Sequence, residues 1–180
     1  MNSVYVESPA DFNEYVDFYN ELYDAIKEVS PDTKVFTVFQ LERVKGLTMW
    51  EIEKNEAHWE LIDLFESDLI AFTTYPGLFY RDPSDIPDDH YSEINYYTSK
   101  PVAFTEIGWH SEASPQGWES SEQEQAEFIE SFFRLTNDID MKIAIWSFLY
   151  DPDIIEPFRS MGLRRADGTA RPAWDVWKRR

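Results

Sequence analysis

The sequence predicts an α/β fold in which parallel strands are joined by helices. Three observations predict it. Short β-branched and aromatic runs alternate with stretches of helical period along the chain. The run over 102–107 is apolar at most positions, as a strand covered on both faces is. Proline and glycine punctuate it, with Pro101 before and Gly108 after.

The elements follow in order. Ser8-Pro9 places a cap and a first-turn proline at the start of a helix over 9–29. Phe12, Tyr15, Val16, Tyr19, Leu22, Tyr23 and Ile26 recur in it at helical spacing, and Ser30-Pro31-Asp32 ends it. Residues 35–39 read as a first strand, and 48–65 as a second helix. A second strand over 69–75 is closed by Pro76-Gly77. A loop rich in Asp and Pro runs over 81–89, followed by a short helical piece over 91–97. The strand over 102–107 is the third. A helix over 121–136 opens on Ser121 followed by Glu124, the pattern of a capping box. A fourth strand covers 142–148, and the tail carries a turn at 166–169 and a short helix over 173–178.

No internal repeat, low-complexity tract or linker divides the 180 residues, which predicts one domain over 1–180. Four strands fall short of a closed (β/α)8 barrel, which needs roughly 200 residues and typically about 250. A doubly wound open sheet fits the length. However, no Gly-rich phosphate loop follows a strand, and six glycines are few for a nucleotide fold. Half of a barrel is the third solution.

Composition narrows the partners. Sixteen basic against thirty-five acidic residues give a net charge of −19, which repels nucleic acid and acidic membrane surfaces. No apolar run approaches the roughly 18 residues of a membrane span. Seven Trp, ten Tyr and thirteen Phe suit either a dense core or a cleft that stacks flat apolar faces, such as those of sugars. Cysteine is absent, the three histidines are not paired at i, i+4, and no H-E-x-x-H occurs, so no zinc site and no cofactor is expected. Asp82 to Asp89 lacks the spacing and glycine of an EF-hand loop. No G-x-S-x-G elbow occurs either, so a Ser-His-Asp hydrolase is disfavoured.

The chemistry-bearing candidate is Glu106, a carboxylate at the end of an apolar strand. A buried carboxylate is paired or used, and α/β enzymes work at the carboxyl ends of their strands. Glu106 is therefore expected to be partly or wholly buried. Gln40 and Glu42, after the first strand, suit either sugar hydroxyls or a solvated loop. Trp109 and His110 suit either a subsite or loop packing. Asp151, after the fourth strand, suits a sugar contact or a helix cap.

Four segments resemble the C-terminal half of clan A glycoside hydrolases, which are (β/α)8 barrels. They are Phe72-Thr73-Thr74-Tyr75-Pro76, Phe104-Thr105-Glu106-Ile107-Gly108-Trp109, the run from Ile145 to Asp151, and Gly162-Leu163-Arg164 through Asp167-Gly168-Thr169 to Pro172-Ala173-Trp174. The closest flavour is the endo-β-1,4-galactanase-like and cellulase-like group. The resemblance implies that the four strands are numbers five to eight. It makes Glu106 the catalytic nucleophile of a retaining enzyme. It implies that Tyr75 holds Glu106 by a hydrogen bond and that Trp146 floors the bound sugar, with a cis peptide between Trp146 and Ser147. The clan's acid/base, in an Asn-Glu pair ending strand four, has no counterpart among residues 1–8, where Glu7 follows Val6. The chain is thus expected to be a fragment of a longer enzyme, inactive alone, with a β-linked poly- or oligosaccharide as substrate. The start, Met1-Asn2-Ser3-Val4-Tyr5, lacks the basic and apolar regions of a signal peptide; the parent suits a secreted or periplasmic setting. The competing classes are a non-catalytic carbohydrate-binding or interaction half-barrel and an open-sheet α/β enzyme of another kind. Unpaired strand edges, and barrel-facing apolar side chains such as those of Val38, Ala71, Phe104 and Ile145, predict self-association, although periodicity alone does not say which face each takes.

Overall fold

The computed structural model describes residue 5, residues 7–49 and residues 55–180. Helix α1 (Pro9–Val29) opens the described fold, as its period predicts. Ser8 caps it through the backbone, its carbonyl accepting from Phe12 N–H, and not through its hydroxyl. Strand β1 (Val38–Gln40) is shorter than expected and runs directly into a single turn, α2 (Leu41–Val44). Strands β2 (Ile70–Thr74), β3 (Val102–Ile107) and β4 (Met141–Trp146) complete one parallel sheet in the order β1-β2-β3-β4. Helix α3 (Glu122–Leu135) lies between β3 and β4 in the chain, and α4 (Pro172–Trp177) follows β4. The sheet is compatible with part of a (β/α)8 barrel.

The helix expected over 48–65 is not found. Residues 50–54 lie outside the described residues, and of the remainder only Trp59–Asp63 turns, as a 3₁₀ helix. The reason is local. Gly46 takes a positive φ of 78°, and the chain then doubles back, with Asn55 N–H donating to the Gly46 carbonyl and His58 N–H to that of Val44. A side chain at position 46 would strike the Asn55 carbonyl oxygen at 2.4 Å, so glycine is required there.

The two faces of the sheet are built differently. Phe39, Phe72 and Phe104 are lateral neighbours in register, and all are buried beneath α1, α3 and the connecting segments. Phe65, Tyr91 and Phe132 interlock with them edge-on, burying large apolar area at favourable ring angles. The other face carries Val38, Ala71, Ala103 and Ile143, again in register, flanked by Phe36 and Leu69. This face is thinner. Its alanines are buried by their neighbours, whereas Ile145 near its end is 49% exposed. Phe104 thus belongs to the helix-covered face, a correction to the expectation that it faces a barrel interior.

Ser121 caps α3 as predicted, its hydroxyl accepting from Glu124 N–H at 3.1 Å. The capping box is not reciprocal, because Glu124 instead accepts from Trp109 Nε1 and Ser120. The tail is fastened by Arg171, which is almost wholly buried. Its guanidinium meets Asp151 with both ends, at 2.6 and 2.8 Å, and also donates to the Gly162 carbonyl and to Glu122.

Candidate active site

The geometry at the carboxyl end of the sheet begins with a bulge. Phe72 pairs with Phe104, but Thr73 pairs with Glu106, so Thr105 is an extra residue on β3. A bulge of this kind bends the strand and re-aims the next side chain. Here it brings Glu106 within reach of β2's end, where the Tyr75 hydroxyl donates to its Oε2 at 2.6 Å. Glu106 is exposed. The expectation of a buried carboxylate is corrected, because the bulge turns it to the thin face and no described segment covers it.

Tyr75 is buried, and its ring is tightly seated. A β-carbon on Gly108 would meet it at 2.7 Å, and the Phe158 ring stands edge-on at 5.5 Å. Burial first, and the hydrogen bond to Glu106 second, push the phenol far above its usual range. The hydroxyl therefore keeps its proton and serves Glu106 as a donor. Ser147 Oγ lies 2.9 Å from the same hydroxyl and 3.1 Å from the Ile107 carbonyl, which also accepts from Ser147 N–H.

Trp146 is not beside this pair. Its indole packs on the helix side against Phe128 and Trp177, and its N–H donates to the Met161 carbonyl at 2.7 Å. The indole that the resemblance makes a sugar floor is thus packed on the covered face, opposite the one that carries Glu106. The Trp146–Ser147 peptide is not cis: among the described residues the cis bond is Glu156–Pro157. Side chains alternate along a strand, so turning Trp146 inward puts Ser147 on the open side. Ser147 is the site residue that sequence reasoning missed, and that alternation was the available signal.

Gln40 and Glu42 have other occupations. The Gln40 amide accepts from Arg43 N–H at 2.6 Å and donates to Glu42. Glu42 is fully buried, accepting from Thr74 Oγ1 at 2.6 Å, with His90 Nε2 at 3.5 Å. Thr74 also meets the Tyr91 hydroxyl at 3.1 Å. The solvated loop expected as the alternative is not found: a half-buried Gln40 and a buried Glu42 join a network that ties β1 to β2. Burial pushes the His90 imidazole below its usual range, against the pull of Glu42. Trp109 is fully buried and stacks on His110 and Phe128. His110 is wedged between the Glu112 and Gly77 carbonyls, at 2.7 and 3.1 Å. Both residues pack the loop after β3. Asp151 is engaged by Arg171. Among the described residues, no group of three or more His, Cys, Asp or Glu side chains is arranged to hold a metal ion. The arrangement presents one exposed carboxylate, fixed by a phenol and backed by a serine.

No protein-family model matches the chain, and no curated protein sequence does. Solved structures do. The chain is similar to the Ruminococcus gnavus β-glucuronidase in complex with uronic isofagomine, at 18% identity and a TM-score of 0.64, over 91% of this chain and 28% of that one. It is similar to the Lactobacillus rhamnosus β-glucuronidase at 20% identity and 0.59, over 92% and 29%. The third is the glycoside hydrolase family 17 β-1,3-glucanosyltransferase of Rhizomucor miehei, at 16% identity and 0.59, over 94% and 59%. The chain thus spans less than a third of the two β-glucuronidases. At these identities the likeness establishes the fold: nearly the whole chain superposes on part of each of these glycoside-processing enzymes.

Proposed function

We propose that the carboxyl end of this sheet is the nucleophile side of a retaining glycoside hydrolase acting on O-glycosidic bonds of a β-linked poly- or oligosaccharide. On this reading β1 to β4 are strands five to eight of a clan A barrel, of the endo-β-1,4-galactanase-like and cellulase-like group. The observation that carries it is the 2.6 Å hydrogen bond from Tyr75 to the exposed Glu106 at the end of β3. A retaining nucleophile must be reachable and held in one orientation; Glu106 is exposed, and the Tyr75 donor fixes its orientation. Glycosidase names among the fold neighbours support the same reaction class.

Retaining chemistry needs a second carboxyl about 5–5.5 Å away to protonate the leaving oxygen. Three carboxylates that follow β1 and β4 are committed elsewhere. Glu42 is sealed in its network, Asp151 is held by Arg171, and Glu156 pairs with Arg159. The protonating group in this proposal is not one of these three, and without it natural glycans with poor leaving groups are expected to resist cleavage.

The test bypasses that group. A fluorinated β-glycoside with a dinitrophenolate leaving group needs no protonation. A Glu106 oxygen bonds to the anomeric carbon, and dinitrophenolate departs with the bonding electrons. Incubation with gluco-, galacto- and glucurono-configured reagents is expected to add one glycosyl group at Glu106, located by peptide mass spectrometry. Glu106→Gln abolishes it. Sugar binding without any label supports instead the second reading, a non-catalytic carbohydrate-binding half-barrel.

A further inference from the structure

The phenol of Tyr75 has one proton and two oxygen neighbours. It donates to Glu106 Oε2 at 2.6 Å, and Ser147 Oγ stands 2.9 Å away on its other side. With its proton given to the carboxylate, the phenol oxygen offers lone pairs. Ser147 has one proton to give, either to those lone pairs or to the Ile107 carbonyl at 3.1 Å. The Ile107 carbonyl already accepts from Ser147's own N–H at 3.0 Å. Among the described residues, no other group donates to the phenol oxygen. The better-matched destination for the serine proton is therefore Tyr75.

We infer that Ser147 is a positioning residue of the Glu106 site, acting through Tyr75 in a directed chain: Ser147 Oγ–H to the Tyr75 oxygen, and Tyr75 O–H to the Glu106 carboxylate. The inference rests on the nucleophile reading of Glu106 for its functional meaning, while the chain itself is a matter of geometry. Hydrogen bonds in series polarise one another, so a donor behind the phenol strengthens the phenol's own donation. The frame is stiff. Tyr75's ring is pinned by Gly108, Met161 and Phe158, so the hydroxyl's position is set by packing. Ser147's backbone is tied to Ile107, next to Glu106 in the chain. Trp146 adds to this from the other face. Its anchorage to Met161 fixes the end of β4 and presents Ser147 to the open side. The chain carries no bond-breaking step, and no proton leaves its oxygen. It fixes which carboxylate oxygen is occupied by Tyr75 and leaves the other for the anomeric carbon.

The test has a structural and a chemical arm. With Tyr ring carbons labelled, the Tyr75 ¹³Cζ and hydroxyl proton signals are recorded for the full chain and for Ser147→Ala, Ser147→Thr and Glu106→Gln. The expected result is a shift of the Tyr75 signals in Ser147→Ala, restored by Ser147→Thr, which keeps the hydroxyl. Glu106 labelling by the dinitrophenyl reagent slows about fivefold to tenfold in Ser147→Ala, the size of one lost hydrogen bond. Added to Tyr75→Phe, Ser147→Ala slows it no further, because its effect runs through the phenol. Unmoved Tyr75 signals in Ser147→Ala would overturn the inference, leaving Ser147 a clip to Ile107. So would an additive effect on top of Tyr75→Phe. Moved signals in a protein whose Glu106 takes no label would leave the chain standing and sink the nucleophile reading instead.

Discussion

The two faces of the sheet use the same four strands for opposite purposes. On the helix-covered face, phenylalanines from β1, β2 and β3 sit side by side and interlock with rings from the helices and connecting segments. On the other face, alanines and branched residues make a thin layer that ends in Tyr75, Glu106 and Ser147. The difference teaches where rigidity comes from. The Glu106 carboxylate stands on the face with little packing of its own, and it is held still because its support reaches through the sheet. Trp146 is anchored on the covered face, Ser147 emerges on the open one, and the bulge at Thr105 delivers Glu106 to Tyr75.

The largest effect that tests this division is a paired truncation. Phe104→Ala on the covered face is expected to cost about 3–5 kcal/mol, whereas Ile145→Ala on the open face costs well under half of that. Chemical denaturation of both variants measures it, and equal losses would break the comparison. A smaller effect is acidic. His90 is buried as a neutral ring on the covered side, faced by Glu42 and Tyr80, with its own carbonyl held by Lys45. Its affinity for protons is lower folded than unfolded, so the unfolded chain takes up a proton first as pH falls below about 6.5. Stability therefore declines with falling pH from that point. Melting temperatures between pH 7.5 and roughly pH 5 follow it, and His90→Gln is expected to flatten the curve. A persistent slope would place its origin at His110, whose imidazole burial also pushes down. The smallest effect concerns association. Ile145→Lys, at a 49% exposed position, is expected to leave stability within about 0.5 kcal/mol and to weaken concentration-dependent self-association seen by sedimentation.

Much of the fold was legible because its signals are local. Ser8-Pro9, the apolar period and Ser30-Pro31 fix α1, and Pro101 and Gly108 frame β3. The hydrogen bond from Tyr75 to Glu106 was implied by the resemblance and is present. What failed was the choice of face. A strand covered on both sides has no polar alternation to show which way a residue points, so Phe104 and Trp146 read equally well inward or outward. The bulge compounded this, since one extra residue reverses the phase of everything after it. The fate of Gln40 and Glu42 was hidden for another reason. Glu42's partners Thr74 and His90 lie more than thirty residues away in the chain and nothing near position 42 announces them, while Gln40 is drawn in through Glu42. Of the helix expected over 48–65, the described residues keep only the turn at Trp59–Asp63, and the left-handed Gly46 just before it was not read as a turn.

The strand order has a kinetic consequence. Each strand pairs with the one before it in the chain, so no strand waits for a distant partner. Assembly of these four strands can advance in chain order, because each pairing closes over one crossover rather than several. Within these four strands, β2 can dock on β1, β3 on β2 and β4 on β3 as each is synthesised, so the newest of them always forms the margin.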